Sequence, residues 1–272
     1  MTTLDMYIGT LNNENTKVNY RVDIKSMLDY IGKNENEIVL ADLLAWKTDM
    51  VNSGKSSATI ARRIGSVKRY FQFLVDMDII TNNPSVKLKA PKILNKEEPT
   101  LTANEVRMII ECATNPRDKA IIATLASTGM RISELINIKM GDINGNDITI
   151  VGKGSKRRMV HVNEKTMQYI TVYLSTRKGG VDNLFVSNGN SPMLPNSINR
   201  TLKRLAKKAG IEKNIHNHSL RHLWATCMLD NNVPIENIQL CMGHSDISVT
   251  TRYAKIRNAQ KVVRETMEIE VF

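Results

Sequence analysis

The sequence predicts a two-domain, mainly α-helical fold with a small antiparallel β-sheet in the second domain. Three observations carry this. Apolar residues recur at three- and four-residue steps on both sides of a proline-rich stretch. That stretch, residues 81–102, sets Pro84, Pro91 and Pro99 among charged residues, and proline interrupts a helix because it has no amide hydrogen and a fixed φ. Beyond it, two short β-branched runs flank Gly152-Lys153-Gly154-Ser155-Lys156, the pattern of a hairpin and its turn. The boundaries that follow are 1–90 for an N-terminal helical domain, 91–100 for an extended linker and 101–272 for the second domain.

Taken in order, helices are expected over 15–31 and 39–52. Ile60, Ile64, Val67, Phe71 and Leu74 then form one face of a helix over 57–76, with Ser56 or Ser57 able to cap it. Its polar side carries Arg62, Arg63, Ser66, Lys68 and Arg69, so the helix can pack on its own domain and turn a basic face to phosphates. The alternative is a solvated basic face. Past the linker, Thr102 and Glu105 make a capping box ahead of Val106, Ile109 and Ile110, which marks a fresh helix and a new domain. A helix over 116–127 ends at Thr128-Gly129. Strands are expected at 147–151 and 157–162, with a further short one at 184–187. Helices are expected at 163–177, 195–209, 218–230, 234–242 and 247–256. Trp46 and Trp224 read as core, and Tyr169 and Tyr173, one helical turn apart, as packing residues.

Composition narrows the function classes. The 272 residues are 42% hydrophobic and 24% charged, within the globular range and not that of a disordered chain. The net charge is +11, and both parts share the excess: 13 basic against 10 acidic residues in 1–94, and 25 against 17 in the remainder. A basic excess draws polyanions, so nucleic acid is the leading partner class. Cys112, Cys227 and Cys241 are odd in number and widely spaced, which gives neither a disulfide framework nor a zinc motif; each is expected to pack as a small hydrophobe. The first residues lack a basic segment followed by an apolar run, and no stretch of about 18 apolar residues suggests a membrane span. The expectation is a cytoplasmic protein with no membrane partner.

Five places set basic or nucleophilic side chains beside glycine turns or helix ends. They are Thr128-Gly129-Met130-Arg131-Ile132-Ser133-Glu134-Leu135, Gly152-Lys153-Gly154, His218-Ser219-Leu220-Arg221-His222, Gly243-His244-Ser245, and Tyr253. Singly each has an ordinary explanation: a surface charge, a solvated turn, a packed ring. Their order and spacing together resemble the tyrosine recombinase (phage-type integrase) family, in its Xer-like branch. The segment from His218 to Thr226 is similar to that family's H-x-L-R-H-x-x-A-T box. Gly243-His244 with Thr250 and Tyr253 is similar to its G-H-S-x-x-x-x-T-x-x-Y box, with the tyrosine nine residues after the histidine. Thr128 to Leu135 is similar to its first arginine box, and Gly152-Lys153-Gly154 stands where the family carries a lysine on a hairpin. Asn83-Pro84, Pro91-Lys92 and Leu101-Thr102 look like its linker, so the resemblance covers nearly the whole chain.

The resemblance implies a two-domain DNA clamp and a set of roles. Tyr253 would be the nucleophile on a DNA phosphate. Arg131 and Arg221 would offer planar N–H forks to the charged oxygens of the pentacoordinate transition state, the electrostatic role that Mg²⁺ fills in many phosphoryl-transfer enzymes. Lys153 would protonate the leaving 5′-oxygen, with Lys156 as the alternative. His218 would take the tyrosine proton, and His244 would hydrogen-bond a phosphate oxygen. Glu134 would orient Arg131 or a neighbour; the alternative is a surface ion pair. Arg62, Arg63, Lys68 and Arg69 would contact DNA. No metal, nucleotide or other cofactor is expected: no acidic metal cluster and no G-x-x-x-x-G-K-[ST] loop is present in the sequence, and a phosphotyrosine bond conserves the energy of the broken phosphodiester.

Expected partners are a double-stranded DNA recombination site and three further subunits, identical or from a related recombinase, that complete a tetramer acting through a Holliday junction. The apolar end, with Ala259, Val262, Val263 and Met267 at helical spacing, suits docking on a neighbouring subunit; packing on its own domain is the alternative. The length leaves no room for the extra N-terminal arm-binding domain of λ-like integrases, which favours dimer resolution, inversion or a compact mobile element. Two rivals remain: a type IB topoisomerase or hairpin telomere resolvase, and a DNA-binding regulator that has kept the fold without catalysis.

Overall fold

The computed structural model describes residues 2–92, 100–152 and 156–243. Of the expected elements, the helix at 247–256 and the apolar end lie outside these residues, as do Lys153, His244 and Tyr253 and positions 93–99 of the linker. The chain falls into two compact units, Met1–Glu97 and Glu98–Phe272. Among the described residues no helix is long and apolar enough to cross a membrane.

The first unit holds α1 (Thr3–Thr10), α2 (Glu14–Ile31), α3 (Leu40–Asn52) and α4 (Ser57–Asp76). Helix α1 is not anticipated from apolar periodicity because it is barely two turns long. The Thr2–Asp5 capping box starts it, and it buries Leu4, Tyr7 and Ile8 on one face. Asn13 accepts from the Thr16 amide at the head of α2 (3.1 Å), and Gly32, left-handed at φ 67°, ends it. Ser56 accepts from the Thr59 amide and starts α4 where its sequence places the cap. Trp46, Met27, Ile64, Phe71 and Leu74 make the centre of the core, and Leu88 folds back onto it.

The polar side of α4 is not all exposed. Ser66 is buried. The cause is Asp23 of α2, which is wholly inaccessible: it accepts from Ser66 Oγ at 2.8 Å and from Arg62 Nη1 at 2.5 Å, and Arg63 Nε lies 3.7 Å away as an ion-pair partner. A carboxylate removed from water has to be paired and hydrogen-bonded, so α4 spends part of its basic face inside the unit.

The second unit begins with α5 (Ala103–Cys112), capped by Thr102 and Glu105 as expected. Helix α6 (Pro116–Thr128) follows, buried on nearly every side, and then the short α7 (Ile132–Asn137). Strands β1 (Ile143–Asn144), β2 (Asp147–Val151) and β3 (Arg157–His161) form an antiparallel sheet in that order. The turn is closed at its base by the Gly152 amide donating to the Lys156 carbonyl (2.8 Å). Helices α8 (Glu164–Thr176), α9 (Pro195–Lys208), α10 (Asn217–Asp230) and α11 (Ile235–Met242) complete the unit. Ala225, Leu229, Ile238 and Met242 hold α10 and α11 together.

The strand expected at 184–187 is not one. Lone bridges join Lys139 to Asn183 and Val186 to Pro192, and Pro192 has no amide hydrogen with which to extend a ladder. The cysteines also depart from expectation: Cys112 and Cys227 are half-buried, whereas Cys241 is exposed. Trp46 is core, while Trp224 is only partly buried and packs beside the small cluster of α10 and α11.

Candidate active site

The site starts at the end of α6. Gly129 takes a left-handed conformation (φ 61°) that turns the chain into Met130 and Arg131. Its bare α-carbon lies under the indole of Trp224: a β-carbon there would sit 2.7 Å from the ring. Trp224 Nε1 donates to the Ser127 carbonyl at 3.0 Å, which fixes α10 across the end of α6. One turn before Trp224, Arg221 is 3% exposed and donates to the Gly129 carbonyl (2.6 Å) and to the Met242 carbonyl (2.7 Å).

Arg131 converges on the same place. Its Nη1 lies 3.3 Å from the Met242 carbonyl and 3.1 Å from Glu134 Oε1, and its Nη2 donates to the Gly243 carbonyl at 3.2 Å. Glu134, one turn along α7 and 3% exposed, also accepts from the Arg131 amide at 2.7 Å. A third guanidinium completes the cluster. Arg158 of β3 forks onto Glu134, Nη1 to Oε1 and Nη2 to Oε2 at 2.9 Å each, while its Nε donates to the Cys241 carbonyl at 2.8 Å. Three arginines thus meet the last carbonyls of α11, where the aligned peptide dipoles leave negative charge. Burial by itself pushes the Glu134 carboxyl up, but the Arg158 fork, the Arg131 amide and the two positive charges outweigh it and hold the group below the ordinary carboxylate value.

Of the expected site residues, the structure brings Arg131, Arg221 and Glu134 together. His218 is exposed on the first turn of α10, three residues before Arg221, with its ring edge-on to His216 at 5.9 Å between centroids. Glu134 is a buried bridge between Arg131 and Arg158. The basic residues of α4 are engaged within their own unit. Arg62 and Arg63 serve Asp23, Arg63 also donates to Ser26 Oγ (3.1 Å), Lys68 donates to the Val86 carbonyl (3.1 Å), and Arg69 donates to the Tyr20 hydroxyl. Among the described residues no cluster of His, Cys, Asp and Glu is placed to hold a metal ion.

Residues 99–260 match the Phage integrase family, and residues 6–77 match the Phage integrase, N-terminal SAM-like domain. The chain belongs to the phage integrase family. Tyrosine recombinase XerD of Oceanobacillus iheyensis is 31% identical over 266 residues, covering 91% of this chain and 90% of that protein. A solved XerA recombinase is 28% identical, with a TM-score of 0.57 over 98% of this chain and 97% of the other. Lambda integrase on a COC′ core site shares the fold at 18% identity, with a TM-score of 0.77 over 91% of this chain and 95% of the other. The integrase-family chain is therefore a tyrosine site-specific recombinase with a mainly helical fold.

One residue of this recombinase's arginine cluster, Arg158, is missed by motif reading. It stands second in the strand expected at 157–162, and none of the family boxes includes it. The signal that finds it is strand alternation. Val160 and Val162 are buried, so two-residue periodicity turns Arg158 to the same face. The register pairs Arg158 with Ile150, which is itself buried.

Proposed function

We propose that this recombinase cleaves and rejoins DNA through a 3′-phosphotyrosyl intermediate on Tyr253. The Tyr253 hydroxyl attacks the scissile phosphorus, the bond from phosphorus to the 5′-oxygen breaks, and the 5′-hydroxyl leaves. His218 accepts the tyrosine proton; Lys153 supplies the proton that the 5′-oxygen needs. Arg131 and Arg221 stabilise the extra charge on the non-bridging oxygens, with His244 hydrogen-bonding one of them. The reverse reaction joins a new 5′-hydroxyl and restores Tyr253. No ATP is required because the phosphotyrosyl bond keeps the energy of the phosphodiester.

The observation that carries this reading is the shared oxygen of Met242. Two guanidiniums from separate elements reach one carbonyl, at 3.3 and 2.7 Å, right before the Gly243-His244 box. Donors spaced to serve one oxygen are spaced to serve the oxygens of one phosphate.

The same reading extends to assembly. The domain at 1–90 holds one face of the duplex and the domain at 101–272 the other, joined by the linker at 91–100. Four subunits, identical or mixed with a related recombinase, exchange strands at a double-stranded recombination site in the cytoplasm; lambda integrase has been solved as a tetramer bound to a Holliday junction. Arg62, Arg63, Lys68 and Arg69 of α4 contact backbone phosphates alongside the bonds they make within their own unit.

The test uses nicked suicide duplexes tiled from DNA around the gene and from the replication terminus, in EDTA and without ATP. Wild type gives a denaturant-resistant protein–DNA adduct and Tyr253→Phe gives none. Arg131→Ala and Arg221→Ala each slow adduct formation by about 10²–10³-fold, the range for losing one transition-state donor. An adduct that survives in Tyr253→Phe overturns the assignment. Specific DNA binding without any adduct for wild type favours a regulator.

A further inference from the structure

The Arg158 guanidinium sits where three separate parts of the site meet. Its fork fills both oxygens of the buried Glu134 carboxylate, which holds the Arg131 amide and side chain. Its Nε holds the Cys241 carbonyl, one residue before the carbonyl that Arg131 and Arg221 share. Two glycines leave the space it occupies. A β-carbon at Gly243 would lie 2.8 Å from Arg158 Nη1, and one at Gly152 would lie 3.3 Å from the same nitrogen. Gly152 opens the lysine turn and Gly243 opens the histidine box, so both signature glycines border this one side chain.

We propose that Arg158 is a positioning residue for the cleavage reaction, setting Arg131 on the scissile phosphate through Glu134 and fixing the end of α11 beside it. The inference rests on the reading of Arg131 as a phosphate-binding residue. Without the fork, Glu134 is a carboxylate out of water whose one remaining guanidinium is that of Arg131. Arg131 is then drawn toward Glu134 and away from the phosphate. Lysine cannot replace the fork: an ammonium is a point charge and cannot serve two carboxylate oxygens in plane while holding a third group.

Single-turnover cleavage of a suicide duplex tests this, with a scissile phosphate and with a neutral methylphosphonate in its place. The methyl group removes the charge that Arg131 stabilises, so Arg131→Ala loses most of its deficit on the methylphosphonate. Arg158→Gln slows cleavage of the phosphate by about 10–100-fold, the range for partners that orient metal ligands in other enzymes. Acting through Arg131, it also loses most of that deficit on the methylphosphonate. A merely structural role slows both substrates equally. Arg158→Lys, the milder change, is measured in the same way should Arg158→Gln fail to fold. An equal deficit on both substrates for the Arg158 variants, while that of Arg131→Ala shrinks, overturns the inference; so does wild-type cleavage by Arg158→Gln. If Arg131→Ala keeps its full deficit on the methylphosphonate, the reading of Arg131 fails and this inference falls with it.

Discussion

Glu134 shows how much one side chain can be asked to organise. Its carboxylate is 3% exposed and ties two guanidiniums and a backbone amide to the start of α7. Because its folded pKa is lowered below the ordinary 4.5, the stability it contributes is complete above that value and is lost as the pH falls through the lower folded value. Glu134→Gln should therefore cost about 2–3 kcal/mol at pH 7, since it removes a buried charge partner of two arginines. The gap in melting temperature between wild type and Glu134→Gln should hold steady from pH 7 to about 5 and narrow below pH 4.5. A gap independent of pH would show that the carboxylate charge contributes nothing. At this scale the sequence is readable where residues stand in recognisable boxes: Arg131, Glu134 and Arg221 are each singled out by the resemblance to the family's boxes, and the structure brings the three together. Arg158 escapes because no family box marks it, and its fork joins β3 to Glu134 of α7, a partner that the alternation with Val160 and Val162 does not name. The engagement of Arg62 and Arg63 by Asp23 escapes for a related reason, since the buried carboxylate belongs to a different helix.

Among the elements, those with strong periodicity and a capping side chain are legible from sequence. Helix α4 runs over the 20 residues that its apolar spacing and Ser56 cap define. Helices α1 and α7, of eight and six residues, are too short for a periodic pattern to stand out; tertiary contacts and caps form them. The end of α6 allows a controlled comparison. Gly129 and Gly54 are both left-handed, but only Gly129 has a ring against its α-carbon; nothing lies within 4 Å of a β-carbon at Gly54. Gly54→Ala should cost about 1 kcal/mol from backbone strain alone, and Gly129→Ala about 2–4 kcal/mol because the indole must also move. Urea denaturation of both variants measures the difference, and equal losses would mean that Trp224 yields freely.

For the whole molecule, the division into two units has thermodynamic content. The large hydrophobic clusters of the two units have no residue in common among the described residues. Trp46→Ala should remove about 3–5 kcal/mol from the first unit, as deletion of a buried tryptophan does. Calorimetry should then show one transition displaced and another left in place; a single transition moving as a whole would argue that the units unfold as one. The net charge of +11 also acts at this scale. Affinity for duplex DNA should fall steeply, by about 10³–10⁵ between 50 and 200 mM salt if 6–10 phosphates are neutralised, and a salt-independent affinity would count against a clamp around the backbone. The separation of the two cores carries a genetic consequence as well. In a selection for revertants of Trp46→Ala, compensating changes should arise among residues 2–92, whereas revertants of Gly129→Ala should map after residue 100. Each half of the gene then supplies its own suppressors.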